Sequence, residues 1–250
     1  MATASFQLPR RKTDLMTTTR SQTTLAFCTL CLLSAACLAL TWTNATTALQ
    51  DSPATPNAAI KALMDGNARY VAGAPESANP PSARGNLVTT HAPFAAIVRC
   101  ADARVSPEIC FDATLGSLFV NGVAGNIITP EIIASFEYAV GTLGAKVIVV
   151  MGHRHCGAVE VAIKMRNKSD QLPGSLPMLI DQIIVPCALD ADPNDVQAYE
   201  HEAVICNANK GVDQLTARSP VLAKAVKSGD LKIIAGVQDL ATGKFTITKQ

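Results

Sequence analysis

Two short apolar segments, each followed at once by metal-ligating side chains, constrain this 250-residue chain more than any other feature. Residues 94–99 and 146–151 are rich in Val, Ile and Ala, which is typical of strands buried on both faces of a parallel sheet. Cys100 follows the first segment, whereas His153 and Cys156 follow the second. The carboxyl ends of parallel strands meet at one edge of a sheet, where ligand sites are usually built. We therefore expect two thiols and one imidazole to converge at this edge.

Strand and helix patterns alternate along the rest of the chain, which predicts an α/β fold. Strands are expected at residues 94–99, 118–120, 146–151 and 231–237, with an edge strand at 244–248. Helices are expected at residues 57–72, 129–141, 158–166, 178–184, 200–216 and 221–227. Asn57 is expected to cap the first helix. The prediction is a small, mainly parallel β-sheet flanked by helices, in one domain that covers residues 51–250.

Residues 1–50 have the pattern of a leader rather than of a folded domain. Basic residues precede an uncharged apolar run at 25–40, and small polar residues follow that run. A basic region, an apolar region and a small-residue exit predict a secretory signal peptide. The run is shorter than the roughly 20 residues that span a bilayer, although an uncleaved signal anchor remains an alternative. We therefore expect an exported protein, periplasmic or lumenal, that meets a membrane only through this segment.

The charge and aromatic content of the chain argue against nucleic acid as a partner. The formal net charge is +1, charged residues make up 16% of the sequence and aromatic residues 4%. A nucleic-acid-binding domain uses a basic surface or a platform of aromatic side chains that stack on bases. The composition indicates neither feature.

The cysteines need an explanation of their own, because an exported domain usually pairs its thiols in disulfides. Eight cysteines are present, and five of them lie beyond residue 50. This odd number matches no obvious disulfide framework, whereas metal binding would account for Cys100 and Cys156. Cys110, Cys187 and Cys206 stand in apolar surroundings. We interpret these three as small buried hydrophobic residues rather than as disulfide partners or ligands.

Two cysteines and one histidine at neighbouring strand ends favour a zinc site. A Cys₂His set that leaves a fourth position for water is one of the ligand sets of catalytic zinc. The i, i+3 spacing of His153 and Cys156 lets both side chains face one ion across a single turn. Asp102 and Arg104 are two residues apart, so they can pair and keep the carboxylate ionised beside the metal; an exposed surface ion pair is the alternative. No role is expected for His155.

The motif Cys100-x-Asp102-x-Arg104, together with His153-x-x-Cys156 further along, resembles the signature of beta-class carbonic anhydrases. The similarity covers residues 57–248 in order, through segments at 66–70, 119–126, 137–140 and 239–244. This resemblance implies a homodimer or a higher homo-oligomer, with Zn²⁺ as the cofactor. Cys100, His153 and Cys156 would be the zinc ligands, and Asp102 and Arg104 would be the catalytic pair beside the fourth position.

The resemblance also implies a reaction, the reversible hydration of CO₂ to bicarbonate and a proton by a zinc-bound hydroxide. The spacing of the family would place Phe119, Ala124 and Tyr138 around the substrate pocket. His91 stands where many family members carry a glutamine that orients the substrate. We expect His91 to donate a hydrogen bond in that pocket or to shuttle the proton; a histidine that merely fits a loop is the alternative.

Two other functions remain open from the sequence alone. A related zinc hydrolase that acts on a CO₂ analogue, such as carbon disulfide or carbonyl sulfide, would use the same ligands. A non-catalytic zinc-binding or thiol-sensing module would also hold the metal. Such a module would not need the pair of Asp102 and Arg104, and this pair therefore favours an enzyme.

Overall fold

The computed structural model describes residues 52–250, whose five strands form a single sheet with helices packed against it. The strands are β1 (Ala95–Arg99), β2 (Leu118–Gly122), β3 (Val147–His153), β4 (Lys232–Gln238) and β5 (Phe245–Lys249). The helices are α1 (Pro56–Val71), α2 (Pro107–Cys110), α3 (Pro130–Gly141), α4 (Gly157–Lys164), α5 (Leu176–Ile183), α6 (Val196–Arg218) and α7 (Pro220–Ser228). Shorter helical turns occur at Pro81–Leu87, Ala124–Asn126 and Ser169–Gln171, and a π-helical turn at Ile184–Ala188.

The strands lie in the order β2-β1-β3-β4-β5, and only β5 runs antiparallel to its neighbour. This arrangement confirms the predicted α/β fold with a mainly parallel sheet, including the edge strand. The central strand β3 is buried along its whole length, as its apolar composition predicts. It continues to His153, two residues beyond the predicted end at 151, so this histidine is held by the sheet itself.

Alternate residues of the central strands pack on opposite faces of the sheet, as the two-residue period of a strand requires. One face meets α3, α6 and α7, and the residues of β1 and β3 on it are Ala96, Val98, Ile148 and Val150. The other face meets α1 and α2, and the residues of β1 and β3 on it are Ala95, Ile97, Val147, Val149 and Met151. Both faces of the sheet are therefore covered.

A third apolar cluster covers the carboxyl edge of the sheet. It combines α4, α5, the π-helical turn and the first half of α6, and two of its buried members are Cys100 and Cys156. The elements that follow β3 thus bury the strand ends at which the sequence predicts a metal site.

The predicted cap of α1 is wrong by two residues. Thr55 caps the helix, because its Oγ1 accepts a hydrogen bond from the backbone N of Ala58 at 3.2 Å. Pro56 occupies the first helical position, and proline keeps the preceding residue extended, which is the conformation of a cap. Asn57 lies inside the helix, and its Oδ1 accepts a hydrogen bond from Nζ of Lys232 at 2.7 Å.

The interpretation of three cysteines as buried hydrophobic residues holds for Cys110 but is wrong for the other two. Cys110 is 1% exposed and carries a free thiol. Cys187 and Cys206 form a disulfide that joins the π-helical turn to α6. The packing of this turn on α6 brings their Cα atoms to 5.6 Å, within the range that a disulfide spans. A separation of 19 residues along the chain gives no sign of this proximity.

The predicted signal peptide at residues 1–50 lies outside the described residues. Within residues 52–250, none of the helices combines the length and the apolar composition needed to cross a bilayer. The expectation of export and of any anchoring segment therefore stays a prediction.

Candidate metal centre

The parallel register of β1 and β3 brings the three predicted metal ligands together. Arg99 at the end of β1 pairs with Met151 of β3, so Cys100 leaves the sheet beside the last two residues of β3. His153 ends β3, and Cys156 occupies the cap position of α4. The ligand atoms of the two cysteines and the histidine all lie within 4.8 Å of one another, and all three residues are buried. This is the convergence that the sequence predicts.

The His153 ring is oriented as a metal ligand would be. Its Nδ1 lies 2.8 Å from the backbone carbonyl oxygen of Arg154. A carbonyl only accepts hydrogen bonds, so Nδ1 carries the proton and Nε2 offers its lone pair. Nε2 is buried and has no hydrogen-bond partner among residues 52–250. A buried acceptor without a partner is costly unless something binds it, and a metal ion beside two thiols fits that requirement.

The two thiols are electrostatically coupled. Their sulfur atoms are 3.9 Å apart, and the backbone N–H of Gly125 donates to Sγ of Cys100 at 3.3 Å. The contact with Cys156, together with His153 and the Gly125 amide, outweighs the effect of burial and lowers the pKa of Cys100. The same contact and burial raise the pKa of Cys156. The pair thus loses its first proton easily and its second with difficulty, until a cation compensates the charge.

Asp102 is fixed by Arg104 and faces the ligand cluster. Oδ1 of Asp102 accepts hydrogen bonds from the backbone N and from Nε of Arg104, both at 2.9 Å, and Oδ2 accepts one from Nη2 at 2.7 Å. Oδ2 also lies 3.9 Å from Nε2 of His153. The side chain of Asp102 is only 19% exposed, whereas that of Arg104 is 56% exposed, so the pair joins the solvent surface to the edge of the buried cluster. The hydrogen bonds from Arg104 hold the pKa of Asp102 well below its usual range.

Two of the predicted pocket residues lie together, and a third lies next to a group that contacts the ligands. The rings of Phe119 on β2 and Tyr138 on α3 have their centroids 6.2 Å apart. Ala124 precedes Gly125, the residue whose amide contacts Cys100. His91 is exposed on the connection before β1, and its Cβ lies near Gly116. These positions leave the substrate-binding roles of the four residues as predictions.

Sequence reasoning missed Glu200 and the backbone of His155. Glu200 lies on α6, is 1% exposed, and accepts a hydrogen bond from the backbone N of His155 at 2.6 Å and one from Nε of Arg154 at 3.1 Å. The carbonyl oxygen of His155 in turn accepts from Nη2 of Arg104 at 3.2 Å. The helical spacing of Glu200 could have indicated its burial. It stands three and four residues before Ala203 and Val204, which places it on the buried apolar face of the helix.

Comparisons with known proteins agree with this geometry. A family model described as "Carbonic anhydrase" matches residues 95–245. A carbonic anhydrase of Mycolicibacterium smegmatis is 34% identical over 193 residues, which cover 77% of this chain and 93% of the relative. Carbonic anhydrase 2 of Mycobacterium tuberculosis is 35% identical, with 77% of this chain and 92% of the relative covered.

A solved structure shares the fold. The beta-carbonic anhydrase of Coccomyxa, solved in complex with acetazolamide, superposes with a TM-score of 0.56 and 24% identity. The match covers 65% of this chain and 75% of that structure.

A parallel sheet that presents two thiols and one imidazole at its carboxyl edge defines an α/β protein with a catalytic type of zinc site. The family model spans more than half of the chain, and the relatives are matched over nearly their whole length. The chain belongs to the beta-class carbonic anhydrase family, whose members are lyases that use zinc.

Proposed function

We propose that this chain catalyses the reversible hydration of CO₂ to bicarbonate and a proton, with zinc held by Cys100, His153 and Cys156. The observation that carries the proposal is the unpartnered Nε2 of His153, which faces two buried thiols within a group 4.8 Å across. Two sulfur donors and one imidazole suit Zn²⁺. Zinc, when bound, supplies Lewis acidity that lowers the pKa of water towards 7 and so provides a nucleophile at neutral pH.

The residues of the chain hold the ligands in a fixed geometry. His153 ends a strand buried on both faces, and the hydrogen bond from its Nδ1 to the Arg154 carbonyl fixes both the tautomer and the plane of the ring. Gly125 donates to Cys100, and α4 begins directly after Cys156. A site that is organised before the reaction does not spend free energy on rearranging its groups during it.

Asp102 orients the nucleophile in this proposal. Arg104 keeps the carboxylate ionised, so Asp102 only accepts hydrogen bonds. Water beside the ligand cluster would then donate a hydrogen bond to Asp102 and turn a lone pair away from it, towards CO₂. Phe119, Ala124 and Tyr138 would form the apolar side of the substrate pocket, and His91 would donate a hydrogen bond there or carry the proton to solvent.

Stopped-flow CO₂ hydration, combined with zinc analysis, tests the proposal on the chain from about residue 50 onward. The zinc-loaded protein should raise the rate far above that of buffer, chelation should abolish the activity, and added zinc should restore it. Cys100→Ala should lose both zinc and activity. Cys110→Ala is the matched control, because Cys110 is an equally buried free thiol outside the ligand group. A zinc-loaded protein without CO₂ hydration would refute the proposal.

Export of the protein is a further part of the proposal. The disulfide between Cys187 and Cys206 supports it, because structural disulfides persist mainly in oxidising compartments. A fusion of residues 1–50 to a reporter that is active only after export tests the leader. A reporter that stays inactive would contradict the proposed export.

We also propose a homo-oligomeric assembly. A structure described as one of two tetrameric beta-carbonic anhydrases from Sordaria macrospora superposes with a TM-score of 0.54 and 21% identity, over 76% of this chain and 96% of that chain. Light scattering on the purified protein should give a mass of at least two chains. A monomer at micromolar concentration would contradict this assembly.

A further inference from the structure

Glu200 is a buried carboxylate close to the ligand cluster, and it belongs to none of the motifs that indicate the activity. It stands in the second turn of α6, and its side chain is 2% exposed. A buried carboxylate must be paired with donors, because the loss of its hydration is costly. Its two oxygens accept from the backbone N of His155 and from Nε of Arg154. Both oxygens of the carboxylate therefore bind the loop between the two ligands His153 and Cys156.

The peptide group between Arg154 and His155 connects Glu200 to a ligand. Its N–H donates to Oε1 of Glu200 at 2.6 Å, and its carbonyl oxygen accepts from Nδ1 of His153 at 2.8 Å. A peptide group is conjugated, so an anion at its N–H increases the negative charge on its carbonyl oxygen. Hydrogen bonds in such a chain strengthen one another. The carboxylate therefore acts on the imidazole through one peptide group.

The same loop connects Glu200 to the pair of Asp102 and Arg104. His155 has a φ of +54°, in the left-handed region that a residue with a Cβ rarely adopts. In this conformation its N–H points to Glu200 and its carbonyl oxygen accepts from Nη2 of Arg104 at 3.2 Å. The charged hydrogen bond to Glu200 thus holds a strained residue in the one orientation that also supports Arg104.

We propose that Glu200 is a positioning residue of the zinc site, which acts through the Arg154–His155 peptide to fix His153 as a ligand and to strengthen its electron donation. The proposal rests on the proposed function, because it assumes that His153 binds the metal. It differs from a purely structural role, in which Glu200 would stabilise α6 against the loop without any effect on metal affinity. Outer partners of metal ligands, when substituted, typically change metal affinity by 10- to 100-fold.

The test compares Glu200→Gln with the wild-type holoenzyme. The amide oxygen of glutamine still accepts from the His155 N–H, but the negative charge is lost. The matched control is Glu202→Gln, which removes the same charge from an exposed position on the same helix. The dissociation constant of zinc is measured by competition with a chelator, the melting temperature by calorimetry, and the Nδ1 proton of His153 by NMR.

The proposal expects Glu200→Gln to weaken zinc binding at least tenfold and to move the Nδ1 proton resonance of His153, whereas Glu202→Gln changes neither. A lower melting temperature with unchanged zinc affinity and an unchanged resonance would overturn it in favour of a structural role. If Glu200→Gln does not fold, Glu200→Asp takes its place, because it keeps a carboxylate but withdraws it from the His155 N–H. Weaker zinc binding with a moved Nδ1 resonance of His153 supports the proposal, and unchanged values of both refute it. Wild-type protein that binds no zinc would instead refute the proposed function.

Discussion

Asp102 and Arg104 form a closed three-point contact at the edge of the ligand cluster. Arg104 donates its backbone N–H and two guanidinium N–H groups to the Asp102 carboxylate, at distances of 2.7 to 2.9 Å. A bidentate guanidinium contact fixes both the direction and the ionisation of a carboxylate. Arg104 therefore keeps the Asp102 carboxylate as a permanent hydrogen-bond acceptor, with its Oδ2 3.9 Å from Nε2 of His153.

Removing the guanidinium of Arg104 should release both the direction and the ionisation of the Asp102 carboxylate. In Arg104→Ala, Asp102 keeps only the backbone donor, so the pKa of Asp102 should return towards the ordinary carboxyl value of about 3.9. The carboxylate also becomes free to turn towards the metal ligands. We expect kcat/KM for CO₂ hydration to fall by about 10- to 100-fold, the effect typical of losing a partner that orients a metal site. Stopped-flow kinetics with parallel zinc analysis measures this change.

A charge-matched control separates this effect from a general change in electrostatics. Arg84 is exposed on the turn before β1, and Arg84→Ala should leave kcat/KM unchanged. Full activity in zinc-loaded Arg104→Ala would contradict the prediction, because CO₂ hydration would then not depend on the orientation that Arg104 gives to Asp102.

The parts of the site that follow from local pattern could be predicted from the sequence. Cys100, His153 and Cys156 follow apolar runs of strand length, and the parallel pairing of β1 with β3 then brings them together without further information. The contact between Asp102 and Arg104 depends on a separation of two residues, so it too is local. Strands and most helices were predictable for the same reason, because hydrophobic period is a local property.

The parts that depend on distant packing could not be predicted in this way. Glu200 meets His155 across 45 residues, and Cys187 meets Cys206 because a π-helical turn follows α5. The apolar setting of both cysteines is compatible with a buried thiol and with a disulfide alike. Only the placement of α6 against the turn decides between the two.

Adding a single Cβ at Gly125 should disturb the three metal ligands. Gly125 has a φ of +70°, and its N–H donates to Sγ of Cys100. A Cβ at this position would lie 2.6 Å from Cδ1 of Ile183 and 3.2 Å from Cβ of Ala158. Left-handed backbone costs a residue with a Cβ about 1–2 kcal/mol. Gly125→Ala should therefore displace the amide from Cys100 and weaken zinc binding by about tenfold.

Chelator competition measures this loss of affinity. Gly85→Ala serves as the control, because a Cβ at Gly85 meets nothing within 4 Å. Equal zinc affinity in both variants would contradict a role for the Gly125 amide in holding the cluster.

The disulfide should contribute to stability but not to catalysis. It closes a loop with a sequence separation of 19 residues, which corresponds to about 3 kcal/mol in the chain-entropy estimate. The double variant Cys187→Ser, Cys206→Ser should lose about this free energy of unfolding in urea and should keep its zinc. A reductant should lower the urea midpoint of the wild type and leave that of the variant unchanged. A wild-type midpoint that does not respond to reductant, although the disulfide between Cys187 and Cys206 has been shown to be reduced, would contradict this prediction.

Asp112 should make the folded domain sensitive to acid. Its carboxylate accepts hydrogen bonds from Nε of Arg69 at 2.6 Å and from the backbone N atoms of Glu76 and Ser77 at 2.9 Å each. Burial alone would raise the pKa of Asp112, but these donors outweigh it and hold the pKa well below the ordinary carboxyl value. Above about pH 4 the carboxylate is ionised in the unfolded chain as well, and its stabilisation of the fold is then fully present. This stabilisation is lost as the pH falls from there through the lower folded-state pKa.

Asp112→Asn should accordingly cost about 3 kcal/mol at pH 7, because hydrogen bonds to a charged acceptor are lost. The difference between the two proteins should shrink as the pH falls below about 4, the ordinary carboxyl pKa, towards the lower folded-state pKa of Asp112. Urea unfolding at several pH values measures both effects. Asp65→Asn is the control, since Asp65 is half-exposed and pairs with Lys61 one helical turn away; an exposed pair of this kind contributes roughly 0.5 kcal/mol or less. A difference between wild type and Asp112→Asn that stays constant with pH would show that the Asp112 charge does not hold the segment at Glu76 and Ser77.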